Sequence, residues 1–197
     1  MEDAVFKSLS KEQLFEGFSL CRSNATGHFD CAKIMFDKGI YGIANSHLIL
    51  GAEEGIKATL LISHYFNVNP GIESITPYFK RHDVKHEKGK EMNEVSKVFI
   101  PVLNAIKAII QKDSHSLFTN VFRLIQPNEP QKWWDSANKQ KNEGFYVNYS
   151  NGKWQAPQNI SKEDYLESKR AVQDIIDILE FTRSLKVDDY KLIPNVG

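Results

Sequence analysis

The stretch YGIANSHLILGAEEGIKATLLISHYF, residues 41–66, decides the fold. At 100° per residue its apolar side chains fall on every side of a helix: Ile43, Leu50 and Leu61 on one, Ile49, Ile56 and Leu60 on a second, Ala44, Leu48 and Ile62 on a third. A helix that is apolar all round is stable only when other elements cover it, so this one belongs in the middle of a bundle. Glu54 and Lys57 interrupt the Ile43, Leu50 and Leu61 stripe and therefore point inward or into a cleft. Buried charges need partners. The spacing offers Glu54 with Lys57 (i, i+3) or Glu53 with Lys57 (i, i+4) as a structural pair, or else a carboxylate that orients groups in a site.

Working outward, the segment before this helix opens with Ser10 and Gln13 in a capping-box pattern. An apolar stripe then runs through Leu14, Phe18, Cys21, Ala25, Phe29, Ala32 and Phe36, predicting a helix from about 11 to 37 that ends near Gly39. On the other side NVNPG (67–71) closes the central helix, and a third helical segment begins between Ser74 and Tyr78 and continues toward Leu124, kinked or broken at Pro101. QKWWDSANKQKN reads as a short helix after the Pro127 and Pro130 loop. In FYVNYSNGKWQAP, aromatic and β-branched residues flank Asn151-Gly152, predicting a hairpin with Tyr149 facing Trp154. The last helix starts at N-cap Ser161 with Asp164 at N3, an Ile160–Tyr165 staple, and a stripe of Val172, Ile175, Ile176 and Leu179. The expected architecture is mainly α: an antiparallel helical bundle in a single domain, 1–197, with a β-hairpin inserted at about 144–157.

Composition narrows the function classes. Lys and Arg number 25 against 25 Asp and Glu, so a surface that coats polyanions broadly is excluded and any nucleic-acid contact must be local. Neutrality also makes self-association electrostatically cheap. Two cysteines, Cys21 and Cys31, are too few for a disulfide-framed scaffold and have no activating or zinc-binding pattern, so they read as packing residues. The beginning of the chain, MEDAVFKSLSKEQ, has acids at positions 2 and 3 where a signal peptide would be basic, and no apolar run approaches the roughly 20 residues needed to cross a bilayer. A cytoplasmic protein without a membrane segment is expected.

One stretch concentrates chemistry: Tyr78-Phe79-Lys80-Arg81-His82-Asp83-Val84-Lys85-His86-Glu87-Lys88. His82 and His86 are i and i+4, on one helical face with Lys85 beside them, and Arg81 immediately precedes them. Arg is a fixed cation suited to phosphate, and His exchanges protons near neutral pH. Together they supply what metal-free cleavage of an RNA phosphodiester requires, charge neutralisation on the phosphorane and proton transfer at the 2′-hydroxyl and leaving 5′-oxygen. Against this stand a solvated charge run and two metal readings: His82 and His86 with Glu53 or Glu54, or an HD dipeptide at His82-Asp83 with His64 and Asp113 as loose companions. His28 and His47 lie on apolar stripes and read as satisfied core residues, while His64 and His115 fall near helix ends.

Several segments resemble the AbiV family of abortive-infection proteins, grouped with the HEPN superfamily. They are Ile40-Tyr41-Gly42-Ile43-Ala44, Ala52-Glu53-Glu54-Gly55-Ile56-Lys57-Ala58, Phe79 to Lys85, and Gly144-Phe145-Tyr146-Val147-Asn148-Tyr149 with Trp154 and Pro157, in the family's order from about 30 to 185. The resemblance implies a HEPN-like helical bundle, commonly a homodimer and often a metal-independent ribonuclease in bacterial defence. The superfamily signature, Arg then a polar residue and a His after four to six intervening residues, is met by Arg81, His82 and His86. The family's usual EExGK has Gly directly before Lys, whereas here Gly55 precedes Ile56, which shifts a close packing contact by one residue.

With the resemblance, the expectation is an anti-phage abortive-infection protein that, as a homodimer, cleaves or binds RNA, with no cofactor or metal. Arg81 stabilises the phosphorane, His86 and His82 share proton transfer, and Glu54 orients the basic groups. Lys57, Lys80, Lys85 and Lys88 attract phosphate. A phage-encoded protein is a candidate trigger. The competing expectation is a non-catalytic dimeric sensor that binds a phage or host protein through the aromatic hairpin and Trp133-Trp134, residues that also suit packing of the hairpin on the bundle.

Overall fold

The computed structural model describes residues 9–65, 79 and 130–184. Helix α1 (Lys11–Asp37) is followed by α2 (Tyr41–Tyr65), then α3 (Pro130–Phe145), strands β1 (Asn148–Ser150) and β2 (Lys153–Gln155), a 3-10 turn (Pro157–Asn159) and α4 (Lys162–Ser184). The third helical segment and its Pro101 lie outside the described residues, apart from helical Phe79.

The ends of α1 follow from single residues. Ser10 Oγ accepts from the Gln13 amide while Gln13 Oε1 accepts from the Ser10 amide, the reciprocal capping box expected from the sequence. At the other end Gly39 adopts φ 75°, and the amides of Gly39 and Ile40 donate to the carbonyls of Phe36 and Met35. This is a Schellman stop, which satisfies carbonyls that the helix itself leaves unpaired. The chain then reverses directly into α2.

Helix α2 is the centre, with α1, α3, α4 and the 3-10 turn all packed against it. Its buried apolar residues point in several directions, among them Leu48, Ile49, Ile56, Leu60 and Ile62, as an all-round apolar helix requires. Glycines make the close approach possible. A β-carbon on Gly51 would stand 2.6 Å from the Phe29 ring of α1, and one on Gly55 2.5 Å from Ile175 Cγ2 of α4. Gly42 leaves room for the Pro157 carbonyl, and Gly144 of α3 sits against the Gly42 carbonyl and Ser46 Oγ. Gly55 thus holds a tight contact one residue ahead of the position expected from the family pattern.

Helix α4 begins with a second capping box, in which Ser161 Oγ accepts from the Asp164 amide and Asp164 Oδ2 accepts from the Ser161 amide. Tyr165 is buried and stacks on Phe36 of α1 at a centroid distance of 4.5 Å, so the start of α4 is pinned to the end of α1. Val172, Ile175 and Leu179 line its buried face.

The hairpin has the expected register. Tyr149 pairs with Trp154, their rings 5.2 Å apart, across a turn in which Asn151 and Gly152 both have positive φ, the I′ geometry that matches strand twist. Tyr149 and Trp154 are 63% and 70% exposed. Trp133 and Trp134, in contrast, are buried in α3. The packing expectation therefore holds for the tryptophan pair, and the hairpin keeps its aromatic rings in solvent.

Gly42→Ala and Gly144→Ala each force a methyl into backbone or a buried hydroxyl and are expected to destabilise by about 1–3 kcal/mol. Gly27→Ala, in α1 with nothing within 4 Å of the added carbon, is expected to stabilise by up to about 1 kcal/mol. Urea unfolding of the three variants checks both signs.

Candidate functional site

One face of α2 is less covered than the others. Ile43, His47, Leu50, Glu54 and Lys57 lie along it, all half-buried. Of the two pairings that the spacing allows, Glu54 with Lys57 forms, Nζ to Oε1 at 2.5 Å. Lys57 also places its ammonium 5.8 Å from the centroid of the Phe79 ring, within cation–π range. Phe79 packs in turn against the hydrophobic core. The Glu54–Lys57 pair therefore touches the first residue of the Phe79 to Lys85 segment.

Glu53 takes another direction, accepting a hydrogen bond from the ammonium of Lys141 in α3. Lys141 is only 5% exposed, and this carboxylate balances its buried charge. Sequence reasoning missed it. The signal was present, since Lys141 shares a helical face with Trp134, Ala137 and Gly144 and so interrupts the buried stripe of α3 as Glu54 interrupts that of α2.

A buried polar network continues from this contact. Ser46 Oγ donates to the Lys141 carbonyl at 2.7 Å, Asn45 Nδ2 to Gln140 Oε1 at 3.2 Å, and Trp133 Nε1 to Ser168 Oγ at 3.0 Å. Ser168 Oγ donates onward to Gln140 Oε1 at 3.3 Å. These bonds tie α2, α3 and α4 together at fixed positions. Such networks specify one packing arrangement because each member left unpaired is costly.

On the α1 side, Cys21 lies near the ion pair. Burial pushes its thiol up to about 11, the Glu54 carboxylate adds to this and Lys57 opposes it. That is an inert thiol, in line with the packing role expected from the sequence. His28 and His47 face each other with Nδ1 atoms 3.0 Å apart. Burial holds both below the ordinary histidine value, against the pull of Glu54 and Glu53 on His28 and with the help of His28 on His47. They are thus satisfied by each other, half in solvent. His64, at the end of α2, is also held low by burial, and its Nε2 has no hydrogen-bond partner among the described residues.

Of the residues expected to form the site, Glu54 and Lys57 are described and adjoin Phe79. Lys80, Arg81, His82, Lys85, His86 and Lys88 lie outside the described residues. Among the described residues no group of three or more His, Cys, Asp or Glu is arranged to hold a metal, and no helix is long and apolar enough to cross a membrane.

The described residues form a mainly helical bundle around a central apolar helix with a paired carboxylate, and the sequence places a basic Arg-His segment after that helix. The chain matches the sequence model of the HEPN-AbiV family, described as AbiV, over residues 13–177, and belongs to that family. No curated protein and no solved structure matches it significantly. Three of the segments that resemble the family meet in space: Gly42 lies against both Gly144 and Pro157, and Glu53 is held by Lys141 one turn before Phe145.

Two expectations follow. Lys141→Met removes the ammonium that pairs with Glu53 and is expected to destabilise by about 3–5 kcal/mol; chemical denaturation of the variant measures this. Because the folded state holds His64 below its ordinary value, its contribution is complete above about pH 6.5 and is lost as pH falls, when the unfolded chain binds the extra proton. The stability difference between pH 7.5 and pH 5.5 should therefore shrink in His64→Gln.

Proposed function

We propose that this AbiV-family protein is a metal-independent endoribonuclease that halts translation or growth during phage infection. It acts as a cytoplasmic homodimer, its single domain spanning 1–197, with RNA held in a cleft where the Arg81, His82 and His86 segments of two copies converge. In this mechanism Arg81 neutralises the charge that develops on the phosphorane. His86 removes the 2′-hydroxyl proton or protonates the leaving 5′-oxygen, and His82 shares that work. Lys80, Lys85 and Lys88 draw in the phosphate backbone without selecting sequence. A phage-encoded protein is the proposed trigger.

The observation that carries the reading is the Glu54–Lys57 pair meeting Phe79, because Arg81 follows Phe79 by two residues. A carboxylate fixed by its own lysine, next to the start of a basic segment, is suited to orient arginine and histidine side chains. Lys57, engaged with Glu54 and Phe79, adds positive potential at the same place.

A second reading has an observation of its own. Tyr146, Val147, Tyr149 and Trp154 are all exposed at one end of the bundle, which fits a non-catalytic sensor that docks a phage or host protein. RNA cleavage by purified protein separates the two. Under the nuclease reading Arg81→Ala and His86→Ala lower the rate by about 100-fold or more, and a chelator leaves the wild-type rate unchanged. Cleavage at the wild-type rate in both variants would falsify the assignment.

A further inference from the structure

His28 of α1 and His47 of α2 take no part in the mechanism above. Their Nδ1 atoms are 3.0 Å apart, the rings tilted by 37°. Only one proton fits between two facing imidazole nitrogens, so at least one of them directs a lone pair at the other. Neutral imidazole is the commonest side-chain metal ligand. With metal–nitrogen bonds of about 2.1 Å, two ligands at 90° stand about 3.0 Å apart and two at the tetrahedral angle about 3.4 Å. The observed separation matches the first geometry, and the second needs the rings to part by a few tenths of an ångström.

Burial is the strongest influence on both imidazoles and holds them in the neutral form that ligates metals. The carboxylates of Glu54 and Glu53 act on His28 by electrostatic attraction, with Lys57 opposing them. Phe145 meets His47 edge-on at 5.4 Å and closes one flank, while both imidazoles keep partial access to solvent. The two ligands also sit on fixed elements, since the neighbouring Phe29 ring is locked over Gly51. Preorganised ligands on separate helices make a chelate without rebuilding the backbone.

We infer that His28 and His47 form a two-histidine site for a divalent transition-metal ion, nickel, copper or zinc, with water completing its coordination. The ion is a removable clamp between α1 and α2. It binds the folded protein through ligands that the unfolded chain scatters, and so raises stability by mass action.

The test uses the full chain, stripped with EDTA and titrated with nickel chloride or zinc chloride alone by calorimetry. Expected is saturable binding of one ion per chain, weakened about tenfold or more in His28→Ala and in His47→Ala and retained in a His82→Ala, His86→Ala double variant. At a hundredfold excess over Kd the ion should raise the melting temperature of the wild type by about 5–10 °C, reversed by EDTA. Histidine NMR of the wild type supplies a readout independent of variant folding: zinc should move the His28 and His47 imidazole signals together. Absence of saturable binding of either ion, binding that survives both single substitutions, or zinc shifts confined to other histidines would overturn the site.

Discussion

Everything in the bundle depends on how closely other elements can approach the backbone of α2. A helix with apolar side chains on all sides is driven to be covered on all sides, yet three further helices and a turn cannot crowd one cylinder unless side chains are missing at the contacts. Gly51 admits Phe29, Gly55 admits Ile175, and Gly42 admits Pro157, each at a distance that no β-carbon tolerates. The glycines set the spacing. The buried hydrogen bonds of Ser46, Asn45, Gln140 and Ser168 then fix orientation, because they form only when α3 and α4 sit at one depth and one rotation.

The same crowding sorts the charges. Glu53 and Glu54 are neighbours in sequence but project about 100° apart on the helix. Glu53 consequently meets α3 and its buried Lys141, whereas Glu54 stays on the more open face with Lys57 and Phe79. One carboxylate anchors a helix and the other holds the lysine that meets Phe79. The adjacent pair thus does two jobs that could not be exchanged without rotating α2.

Much of this is legible in the amino-acid sequence. The capping boxes at Ser10 and Ser161, the Gly39 stop, the Asn151-Gly152 turn and the Tyr149–Trp154 pairing can be read to the residue, since each rests on interactions within a few positions along the chain. Helix α2 as the centre is equally clear from its periodicity. Lys141 is not, because a lysine in a polar-looking segment signals burial only once its stripe is compared with the tryptophans before it. The fate of the aromatic residues also escapes: nothing local distinguishes Trp133, which donates to Ser168 in the interior, from Trp154, which stands in solvent. For the candidate site the same division holds, with the Glu54–Lys57 pair written in its i, i+3 spacing and its contact with Phe79 visible only in three dimensions.

The sequence by itself determined the caps and stop of the first helix, the start of the last, the hairpin turn, the central place of α2 and the family, because helix periodicity, caps and turn chemistry are short-range and each is encoded where it acts. The tertiary structure alone decided the partners that groups on α2 find on other elements. Glu53 with Lys141, Lys57 with Phe79 and His28 with His47 join residues 88, 22 and 19 positions apart. Such pairings follow from the rotation and depth at which whole helices pack, and those are set by the sum of many contacts rather than by any one stretch of chain.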